Sequence, residues 1–460
     1  MKLLNKRTAL LFVLLFQLTT TWIICVYHMG VVPKQNIQTE SVIQKAEWYS
    51  KDKYKINQLL LFGSPYNRGV EHGRLTSDLI YKQEKELNKM FKSFFPTKIY
   101  QQVFIVALSR WFYGIEKYFD SWMLKEIQGV SEHSSTEFND LADPFTRQVA
   151  YHGLHEVGQV FADVENIDFG CTVLGINYKN NWVIGRNFDF EAGRIFDEEK
   201  VMKWVFPNEG YPYLSVIWAG MVGVVTGVNQ NGIYVSINAA GSSDLVRYGT
   251  PSTLVLTKVL QFAKDYSQAI EIIKNSQIFI TDIFTLVDAK NKKAFRIEKS
   301  PKYTEVKELK ENFAITNHLL SNRWTDDKVN AFRMKKFTTM NRLKKAEALL
   351  GSIKDKNFTS ANDVELTLLG FLRDKGPVLG DRNSIDALIA THSVIYNAAQ
   401  NTIYVSKGPS LVGEFIGFDL IRSFKQKRPV LKGTLPADPA LNATTYYQIK
   451  DLLRVKNEKK

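Results

Sequence analysis

At residue 171 the sequence changes from helical periodicity to short apolar runs separated by turn residues, and this change constrains the fold more than any other feature. Residues 100 to 160 repeat apolar side chains at helical spacing. After the change, the runs 171–177 and 182–188 flank Tyr178-Lys179-Asn180-Asn181, whose composition is typical of a turn. The sequence therefore predicts a mainly helical first third, followed by a region that begins with a β-hairpin.

Strands and helices come in blocks along the rest of the chain. The Asn231-Gly232 pair predicts a second hairpin. Helices are expected at about 69–90, after a turn at 64–67, and at 253–274. Further strands are predicted at 58–63, 213–219, 222–228, 232–238, 283–287, 294–299, 313–317, 389–396 and 402–407. Because strands and helices do not alternate regularly, we expect an α+β layered domain and not a doubly wound parallel sheet.

The composition is that of a globular protein. Of the 460 residues, 45% are hydrophobic and 23% charged, which argues against a disordered chain or a polytopic membrane protein. The net charge is +13, but no RNA-binding motif, zinc finger or basic zipper is present. The densest basic stretches, 333–345 and 456–460, are interpreted as a solvated helix face and a terminus. We therefore expect no nucleic acid partner and take the charge as a hint of a nearby anionic surface.

An uncharged apolar run occupies the amino terminus. Three basic residues precede Thr8–Tyr27, a stretch of 20 residues that is long enough to span a bilayer. No small-residue cleavage site follows, which favours an uncleaved signal-anchor over a removed signal peptide and a secreted protein. We predict a transmembrane anchor in residues 1–30 and a linker in 31–57, with the rest of the chain extracytoplasmic, either periplasmic or extracellular.

The two cysteines lie far apart, which excludes a disulfide framework and a cysteine-based zinc site. Cys25 falls in the apolar run and is interpreted as a membrane-buried residue, with lipidation as the alternative. His152 and His155 have the spacing of a shared helix face, but no third ligand stands near them. The chain also lacks a Gly-x-Ser-x-Gly elbow, a Walker loop, a dinucleotide fingerprint and a His-Glu-x-x-His motif. We predict neither a metal nor a cofactor.

Cys171 is the remaining candidate for chemistry. It follows Gly170 at the start of a predicted strand, and the paired strand brings back Arg186 and Asp189. A cysteine reacts as the thiolate, which a nearby arginine favours. The alternative is a buried structural cysteine beside an ordinary arginine.

The segments around Cys171 resemble the nucleophile hairpin of the N-terminal-nucleophile cysteine hydrolases. These segments are Asp-Phe-Gly-Cys-Thr-Val-Leu-Gly-Ile at 168–176 and Ile-Gly-Arg-Asn-Phe-Asp-Phe at 184–190. The superfamily includes choloylglycine hydrolases, acid ceramidase and N-acylethanolamine amidase. Segments at 66–75, 151–155 and 394–420 are most similar to its branch of acyl-CoA:6-aminopenicillanic acid acyltransferase-like proteins. The resemblance implies a four-layer αββα sandwich.

The resemblance also implies autocatalytic cleavage between Gly170 and Cys171. A mainly helical pro-segment, 58–170, would then precede a catalytic chain, 171–460, that begins with its own nucleophile. The new α-amine of Cys171 would act as base, since its usual pKa of about 8 lets it accept the thiol proton.

Further site residues are implied on the same ground. Arg186 would stabilise the thiolate, and Asp189 would orient the amine. Asn238, in Ser236-Ile237-Asn238, resembles the residue that binds the oxyanion, and Asn317, in Ile315-Thr316-Asn317-His318, resembles the family's other polar site residue. Arg333 is assigned to a more distant arginine on a loose match of Asn-x-x-Arg.

The predicted reaction is cleavage of a linear N-acyl amide through a thioester, with water or an amine as acceptor. The expected substrate is a small amphiphilic N-acyl amide taken from or near a membrane. A phospholipase B-like esterase on the same fold is one alternative. A membrane-anchored binding protein with an inactive nucleophile is the other.

Overall fold

The computed structural model describes residues 17, 32–37, 45–165, 170–190 and 193–458. Within these ranges the backbone forms sixteen strands. In chain order they are β1 Glu47–Tyr49, β2 Asn57–Gly63, β3 Gly170–Tyr178, β4 Asn181–Asp189, β5 Val201–Pro207, β6 Tyr213–Ile217, β7 Thr226–Asn229, β8 Ile233–Ala239, β9 Asp282–Asp288, β10 Lys293–Lys299, β11 Thr304–Leu309, β12 Phe313–Ile315, β13 Ala390–Asn397, β14 Thr402–Ser406, β15 Phe415–Asp419 and β16 Leu431–Leu435.

Fourteen α-helices accompany the strands in the same ranges. They are α1 Lys51–Tyr54, α2 Pro65–Phe94, α3 Lys98–Phe112, α4 Ser121–Ser131, α5 Pro144–His152, α6 Leu154–Glu165, α7 Ile195–Glu198, α8 Ser252–Phe262, α9 Tyr266–Asn275, α10 Lys328–Lys336, α11 Thr339–Gly351, α12 Ala361–Leu372, α13 Leu420–Gln426 and α14 Ala443–Glu458. Two short 3₁₀ helices cover Ile115–Tyr118 and Asn322–Trp324.

The strands form two sheets. The nine-stranded sheet has the order β1-β2-β5-β6-β7-β8-β9-β10-β11, and the seven-stranded sheet has the order β12-β3-β4-β13-β14-β15-β16. The β2–β5 pair is parallel, and the other pairs are antiparallel. This mixture of strand blocks and helix blocks is the predicted α+β class.

Apolar side chains divide the sheets and helices into four layers. Large side chains of both sheets meet in one core, where the rings of Tyr234 and Tyr396 stack 5.3 Å apart beside Trp182 and Trp204. A second core lies between the nine-stranded sheet and helices α8 and α9. A third lies between the seven-stranded sheet and helices α11 and α12. The layer order is therefore helix, sheet, sheet, helix.

The β3–β4 hairpin has the predicted position and turn. Tyr178 pairs with Asn181, so the turn consists of Lys179 and Asn180, which have φ of 52° and 59°. A two-residue turn with positive φ at both positions matches the right-handed twist of the flanking strands. Its register places Gly170 opposite Asp189 at the open end of the hairpin.

Residues before position 171 are part of the nine-stranded sheet. Strand β2 lies between β1 and β5 and is buried along nearly its whole length. Helix α2 follows it and packs along α4, where a Cβ on Gly69 would lie 1.9 Å from the Glu126 carbonyl oxygen. Glycine therefore permits the close helix contact. The chain on both sides of residue 171 builds one folded unit.

Several elements differ from the sequence prediction. Strand β5 was not predicted, because Lys203 interrupts its apolar run, yet Lys203 is fully buried. The helices expected at 253–274 are α8 and α9, as predicted. Asp265 caps the start of α9 by accepting a hydrogen bond from the Gln268 amide at 3.0 Å. The strand expected at 222–228 begins at Thr226, because the preceding residues form a loop.

The predicted anchor, Thr8–Tyr27, lies outside the described residues except for Gln17. No helix of the described ranges is long and apolar enough to cross a membrane. The anchor therefore stays a prediction. Part of the predicted linker is ordered structure, since it contains β1 and α1.

Candidate active site

Cys171 lies at the start of β3, with a side chain that is only 3% exposed. Its backbone N–H donates a 2.8 Å hydrogen bond to Oδ1 of Asn317, which follows β12, the neighbouring strand. Burial raises the pKa of the Cys171 thiol above its usual value, although Arg186 lowers it in part. The thiol is therefore protonated at neutral pH in this uncleaved chain, and the expected effect of Arg186 is outweighed by burial.

Arg186 connects the two sheets beside the thiol. From β4 it donates to the Val225 carbonyl oxygen at 2.7 Å, and also to Oγ1 of Thr226 and to the Ile237 carbonyl oxygen. The guanidinium lies over the Phe188 ring, 4.8 Å from its centroid. Arg186 is fully buried, and burial lowers its pKa. Its electrostatic interaction with Cys171 and its hydrogen bond to the thiol raise the pKa in part. The hairpin thus brings Arg186 to Cys171 as predicted.

Asp189 lies on the opposite face of the hairpin from Arg186, against Gly170. A Cβ on Gly170 would come within 2.8 Å of Asp189 Oδ2. Both carboxylate oxygens are buried, and neither has a hydrogen-bond partner among the described residues. Burial raises the pKa of Asp189 to about 8, although Arg342 lowers it in part. The carboxyl is therefore mostly protonated at neutral pH and touches the residue on the amino side of Cys171.

Asn317 and Arg342 hold the peptide groups around Cys171. Nη1 of Arg342 donates to the Cys171 carbonyl oxygen at 2.8 Å and to Oγ1 of Thr172 at 3.1 Å, and Nη2 donates to Asn317 Oδ1 at 2.8 Å. Asn317 Nδ2 donates to the Ala239 carbonyl oxygen at 2.9 Å. The predicted Asn317 is therefore in the site, and Arg342 is a site residue that sequence reasoning missed.

The missed arginine lies in the basic stretch 333–345, which was interpreted as a solvated helix face. That interpretation is wrong for Arg333 and Arg342, which are 5% and 1% exposed. Helix α11 packs onto the seven-stranded sheet and α10 packs against α11, so their inner positions are buried. The stretch offered no signal for Arg342, because its burial follows from tertiary packing.

Arg333 occupies a different place from Arg342. Its Nη1 and Nη2 lie 3.4 Å from Oε1 and the carbonyl oxygen of Gln159, respectively. Its Nε would be 2.4 Å from a Cβ on Gly241. Arg333 therefore contacts helix α6 and the segment after β8, whereas the arginine bonded to the Cys171 peptide is Arg342.

Asn238, the predicted oxyanion residue, lies near the end of β8 and is fully buried. Its Nδ2 donates to the Thr316 carbonyl oxygen at 3.0 Å and lies 3.5 Å from the Ile315 carbonyl oxygen. The second contact is at the outer limit for a hydrogen bond. One of the two amide protons is therefore weakly held.

A polar cluster from helix α6 lies beside these residues. His155 Nε2 is 3.0 Å from Oδ1 of Asp282. Gln159 Nε2 donates a hydrogen bond to the same oxygen at 2.6 Å. Burial lowers the pKa of His155, but the carboxylates of Asp282 and Glu156 together raise it, and the net shift is upward. Neighbouring Glu156 accepts from the Ser252 amide at 2.7 Å, and burial raises its pKa to about 7. His152 and His155 thus have separate partners and do not share a site.

A cavity of about 90 Å³ lies between the helices before residue 171 and the strands after it. Its strand side includes Phe188 and Val225, which belong to the same apolar cluster as Cys171. Its other apolar walls are formed by Phe190, Phe196, Trp218, Met221, Ile80, Leu87 and Leu154. Glu84, Tyr151 and His155 contribute polar groups. The mostly apolar lining with a few polar groups suits an amphiphilic ligand.

Three buried basic side chains hold the loop that forms one wall of this cavity. His72 Nε2 accepts from the Gly220 amide and His152 Nε2 accepts from the Val222 amide, both at 2.9 Å. Lys203 Nζ donates to the Met221 and Val222 carbonyl oxygens at 2.6 and 3.0 Å. Burial lowers the pKa of His152 to about 4 and that of Lys203 to about 8. Both histidines are neutral at pH 7, as acceptors must be.

Comparison with known proteins adds relatives of two kinds. Protein dcd1A of Dictyostelium discoideum is 23% identical over 253 residues, 48% of this chain and 53% of its own length. An uncharacterized protein of Archaeoglobus fulgidus is 22% identical over 246 residues, 50% of this chain and 41% of its own length. The chain thus spans about half the length of the curated relatives it matches.

Among solved structures, the Caenorhabditis elegans ortholog of N-acylethanolamine-hydrolyzing acid amidase superposes on 50% of this chain. The superposition covers 93% of that chain, with 16% identity and a TM-score of 0.36. A variant of the conjugated bile acid hydrolase from Clostridium perfringens covers 59% of this chain with 100% of its own, at 12% identity and a TM-score of 0.38.

A family profile gives the assignment. The profile of acyl-coenzyme A:6-aminopenicillanic acid acyl-transferase matches residues 176–404. The match begins within β3 and includes Arg186, Asp189, Asn238 and Arg342. Cys171 lies five positions before its start. The chain belongs to the acyl-coenzyme A:6-aminopenicillanic acid acyl-transferase family.

Proposed function

We propose that this protein is an autoproteolytically activated cysteine amidase or acyltransferase that cleaves a linear N-acyl amide through a thioester. The observation that carries the proposal is the arrangement around one peptide bond. The thiol of Cys171 lies beside Arg186, the carboxyl of Asp189 lies against Gly170, and Asn317 and Arg342 bind the Cys171 backbone. Family membership and the description of that family support the acyl-transfer chemistry.

The first reaction would be cleavage of the chain itself. The Cys171 sulfur attacks the Gly170 carbonyl carbon, and the thiol proton passes to the Cys171 nitrogen as the peptide C–N bond breaks. A thioester then joins the Gly170 carbonyl to the sulfur, and water hydrolyses it to a Gly170 carboxylate and a free thiol. Cys171 thereby gains an α-amine. The protonated carboxyl of Asp189 is placed to bind or exchange a proton with that amine.

Substrate turnover would repeat the same attack. The α-amine takes the thiol proton, the sulfur attacks the substrate carbonyl, and the amine then gives its proton to the leaving nitrogen. The weakly held Nδ2 proton of Asn238 binds the oxyanion, a role worth roughly 3 to 4 kcal/mol where such a donor has been removed. Water or a second amine releases the acyl group from the sulfur.

The cavity supports an amphiphilic substrate with an apolar acyl part. Phe188 and Val225 connect its apolar wall to Cys171. Helix α2 supplies part of the opposite wall, so the pro-segment must remain bound after cleavage. Strand β2, held between β1 and β5, provides the attachment.

The remaining parts of the proposal concern the ends of the two chains. We place the pro-segment at 58–170 and the catalytic chain at 171–460. We also retain the anchor at Thr8–Tyr27, which would put the catalytic chain on the extracytoplasmic side of a membrane.

One experiment tests the precursor model. The full chain is expressed and extracted, separated on a denaturing gel and sequenced from the amino terminus of each fragment. We expect a fragment that begins at Cys171 and is lost in Cys171→Ala. A single uncleaved chain from the native sequence would contradict the model. Assay of the extracted protein with N-acyl amides and with lysophospholipids then separates an amidase from an esterase.

A further inference from the structure

The hairpin formed by the end of α2 and by α3 exposes a group of large apolar side chains. Phe94, Ile99, Tyr100 and Val103 are 50%, 75%, 61% and 59% exposed. Ile99 and Val103 are four residues apart, so they share one face of α3. Single exposed apolar residues are ordinary, but a contiguous group marks an interaction surface.

Packed aromatic rings and a helix cap fix the conformation of the hairpin tip. The rings of Phe91, Phe95 and Phe104 form a cluster, with centroids 4.3 Å apart for Phe95 and Phe104 and 5.6 Å apart for Phe91 and Phe104. Thr97 caps α3 by accepting a hydrogen bond from the Tyr100 amide at 3.3 Å. The apolar group is therefore presented on a fixed support.

The charges of the hairpin have one sign. Between Glu86 and Glu116 the sequence contains no acidic residue. It contains four basic residues in that interval, all exposed, namely Lys89, Lys92, Lys98 and Arg110. A helix that combines exposed apolar side chains with lysine and arginine is typical of helices that lie in the interface of an anionic membrane. The charge indicates the partner, because a second copy of this chain would bring the same positive residues.

The hairpin also adjoins the cavity. Leu87 of α2 lines the cavity, and Phe94 follows seven residues later on the same helix, about 10 Å along its axis. An apolar molecule that leaves a lipid layer at the hairpin therefore has a short path to the cavity.

We propose that the α2–α3 hairpin, residues 89–110, docks on the surface of an anionic lipid bilayer. Ile99, Tyr100 and Val103 enter the headgroup region, and the lysines bind the lipid phosphates and carboxylates. This surface is separate from the predicted anchor. Docking does not depend on the proposed catalysis, but it places the cavity where an amphiphilic substrate is concentrated.

Hydrogen exchange of the full chain with vesicles tests the proposal, because it reports each segment separately from the anchor. We expect vesicles of phosphatidylcholine with phosphatidylserine to slow amide exchange in residues 91–106 at least tenfold. Phosphatidylcholine alone, or high salt, should remove most of that protection. Equal protection by both kinds of vesicle, or none by either, overturns the proposal. Protection that grows with protein concentration in the absence of vesicles would show self-association and would also overturn it.

Two pairs of variants give matched controls. Ile99→Asn with Val103→Asn, and separately Lys89→Gln with Lys92→Gln and Lys98→Gln, should each lose the protection. The control Val378→Asn with Leu452→Asn changes equally exposed apolar residues elsewhere, and Lys335→Gln with Lys336→Gln and Lys354→Gln removes equal charge. Both controls should keep the protection. Slow amide exchange in the strands of both sheets, retained in every variant, reports that the chain is folded, and loss of protection in the controls as well would overturn the assignment to the hairpin.

Discussion

The polar groups around Cys171 and those that hold the cavity loop are buried to the same extent, but they are bonded differently. His152 uses both ring nitrogens, on the Gln148 carbonyl and the Val222 amide. Asp189, by contrast, has no partner for either oxygen within the described part of the chain, and Nε of Arg186 has none there. A buried polar group without a partner costs about 1 to 3 kcal/mol.

This difference indicates which buried polar groups are already hydrogen-bonded in the uncleaved chain. At the cavity loop, His152 and Lys203 have all their side-chain nitrogens bonded, although Nδ1 of His72 has no partner among the described residues. His152 and Lys203 therefore serve structure. The site around Cys171 keeps unpaired groups, as expected if the state that pairs them is a different one, with a new α-amine beside Asp189.

Removing the acid of Asp189 should have the largest effect. Asp189→Asn keeps the shape of the side chain but cannot exchange a proton, so we expect cleavage at Cys171 to slow roughly 1,000-fold. Cleavage is measured as the fraction of cut chain against time. The matched control is Asp288→Asn, since Asp288 is equally buried but accepts from the Tyr266 and Asn291 amides. The control should unfold more easily and still be cleaved at the native rate.

Asp189→Asn also has a signature in stability. The folded pKa of about 8 lies above the usual 3.8, so the native chain loses stability as pH rises between these values. Asp189→Asn lacks this loss. When it is made in the cleavage-deficient Cys171→Ala protein, its free energy of unfolding minus that of Cys171→Ala alone should rise from pH 5 to pH 8. A constant difference would show that Asp189 ionises normally.

Adding one methyl group at the cleavage site should have the next largest effect on the cleavage rate. A Cβ at Gly170 meets Asp189 Oδ2 at 2.8 Å, so Gly170→Ala must move the carboxyl or the strand. A displacement of about 1 Å can reduce a rate roughly 100-fold, and we expect cleavage to slow by that order. Gly370→Ala is the control, because nothing lies within 4 Å of its Cβ position. An unchanged rate in Gly170→Ala would mean that Asp189 does not act at this peptide.

The two buried arginines provide a smaller, comparative test. Arg342→Lys removes the geometry that joins the Cys171 carbonyl to Asn317, and we expect cleavage to slow about 10- to 30-fold, as for loss of a charged hydrogen bond. Arg333→Lys should slow it less than threefold, since Arg333 contacts Gln159. The reverse order would restore Arg333 to the role that its sequence context predicted.

The sequence predicted the local part of the site and missed the part that depends on distant packing. The hairpin register follows from the turn at Lys179 and Asn180, and it alone brings Arg186 and Asp189 to Cys171. Arg342 comes from a helix that is distant in sequence and surrounded by lysines, so only the folded structure shows its burial.

The sequence failed to predict strand β5 and the cavity for the same reason, because both depend on contacts between distant segments. Strand β5 was not predicted because it contains Lys203, and a charged residue in a strand predicts exposure. The Lys203 ammonium is nevertheless buried and bonded to two carbonyl oxygens of the loop. The cavity combines α2 with strands that follow residue 171, which no local pattern contains.

The smallest effect concerns His152, whose two ring nitrogens are both bonded. The pKa of His152 is lowered from 6.5 to about 4, so the unfolded chain binds a proton on this side chain in a range where the folded chain does not. Stability is therefore full above pH 6.5 and is lost as pH falls toward 4. Between pH 7 and pH 5 this residue alone should lower the free energy of unfolding by about 2 kcal/mol.

Comparison with His152→Gln isolates that contribution. Glutamine can still accept from the Val222 amide but does not titrate, so urea unfolding of the variant should change less between pH 7 and pH 5 by about 2 kcal/mol. His133→Gln is the control, because it makes the same substitution at a histidine that lies outside the loop contacts. Both proteins carry Cys171→Ala, which keeps the chain intact during unfolding. Equal pH dependence in the His152→Gln and His133→Gln chains would show that the loop tolerates a charged imidazole, and the contrast between the two buried regions would then not rest on completed hydrogen bonds.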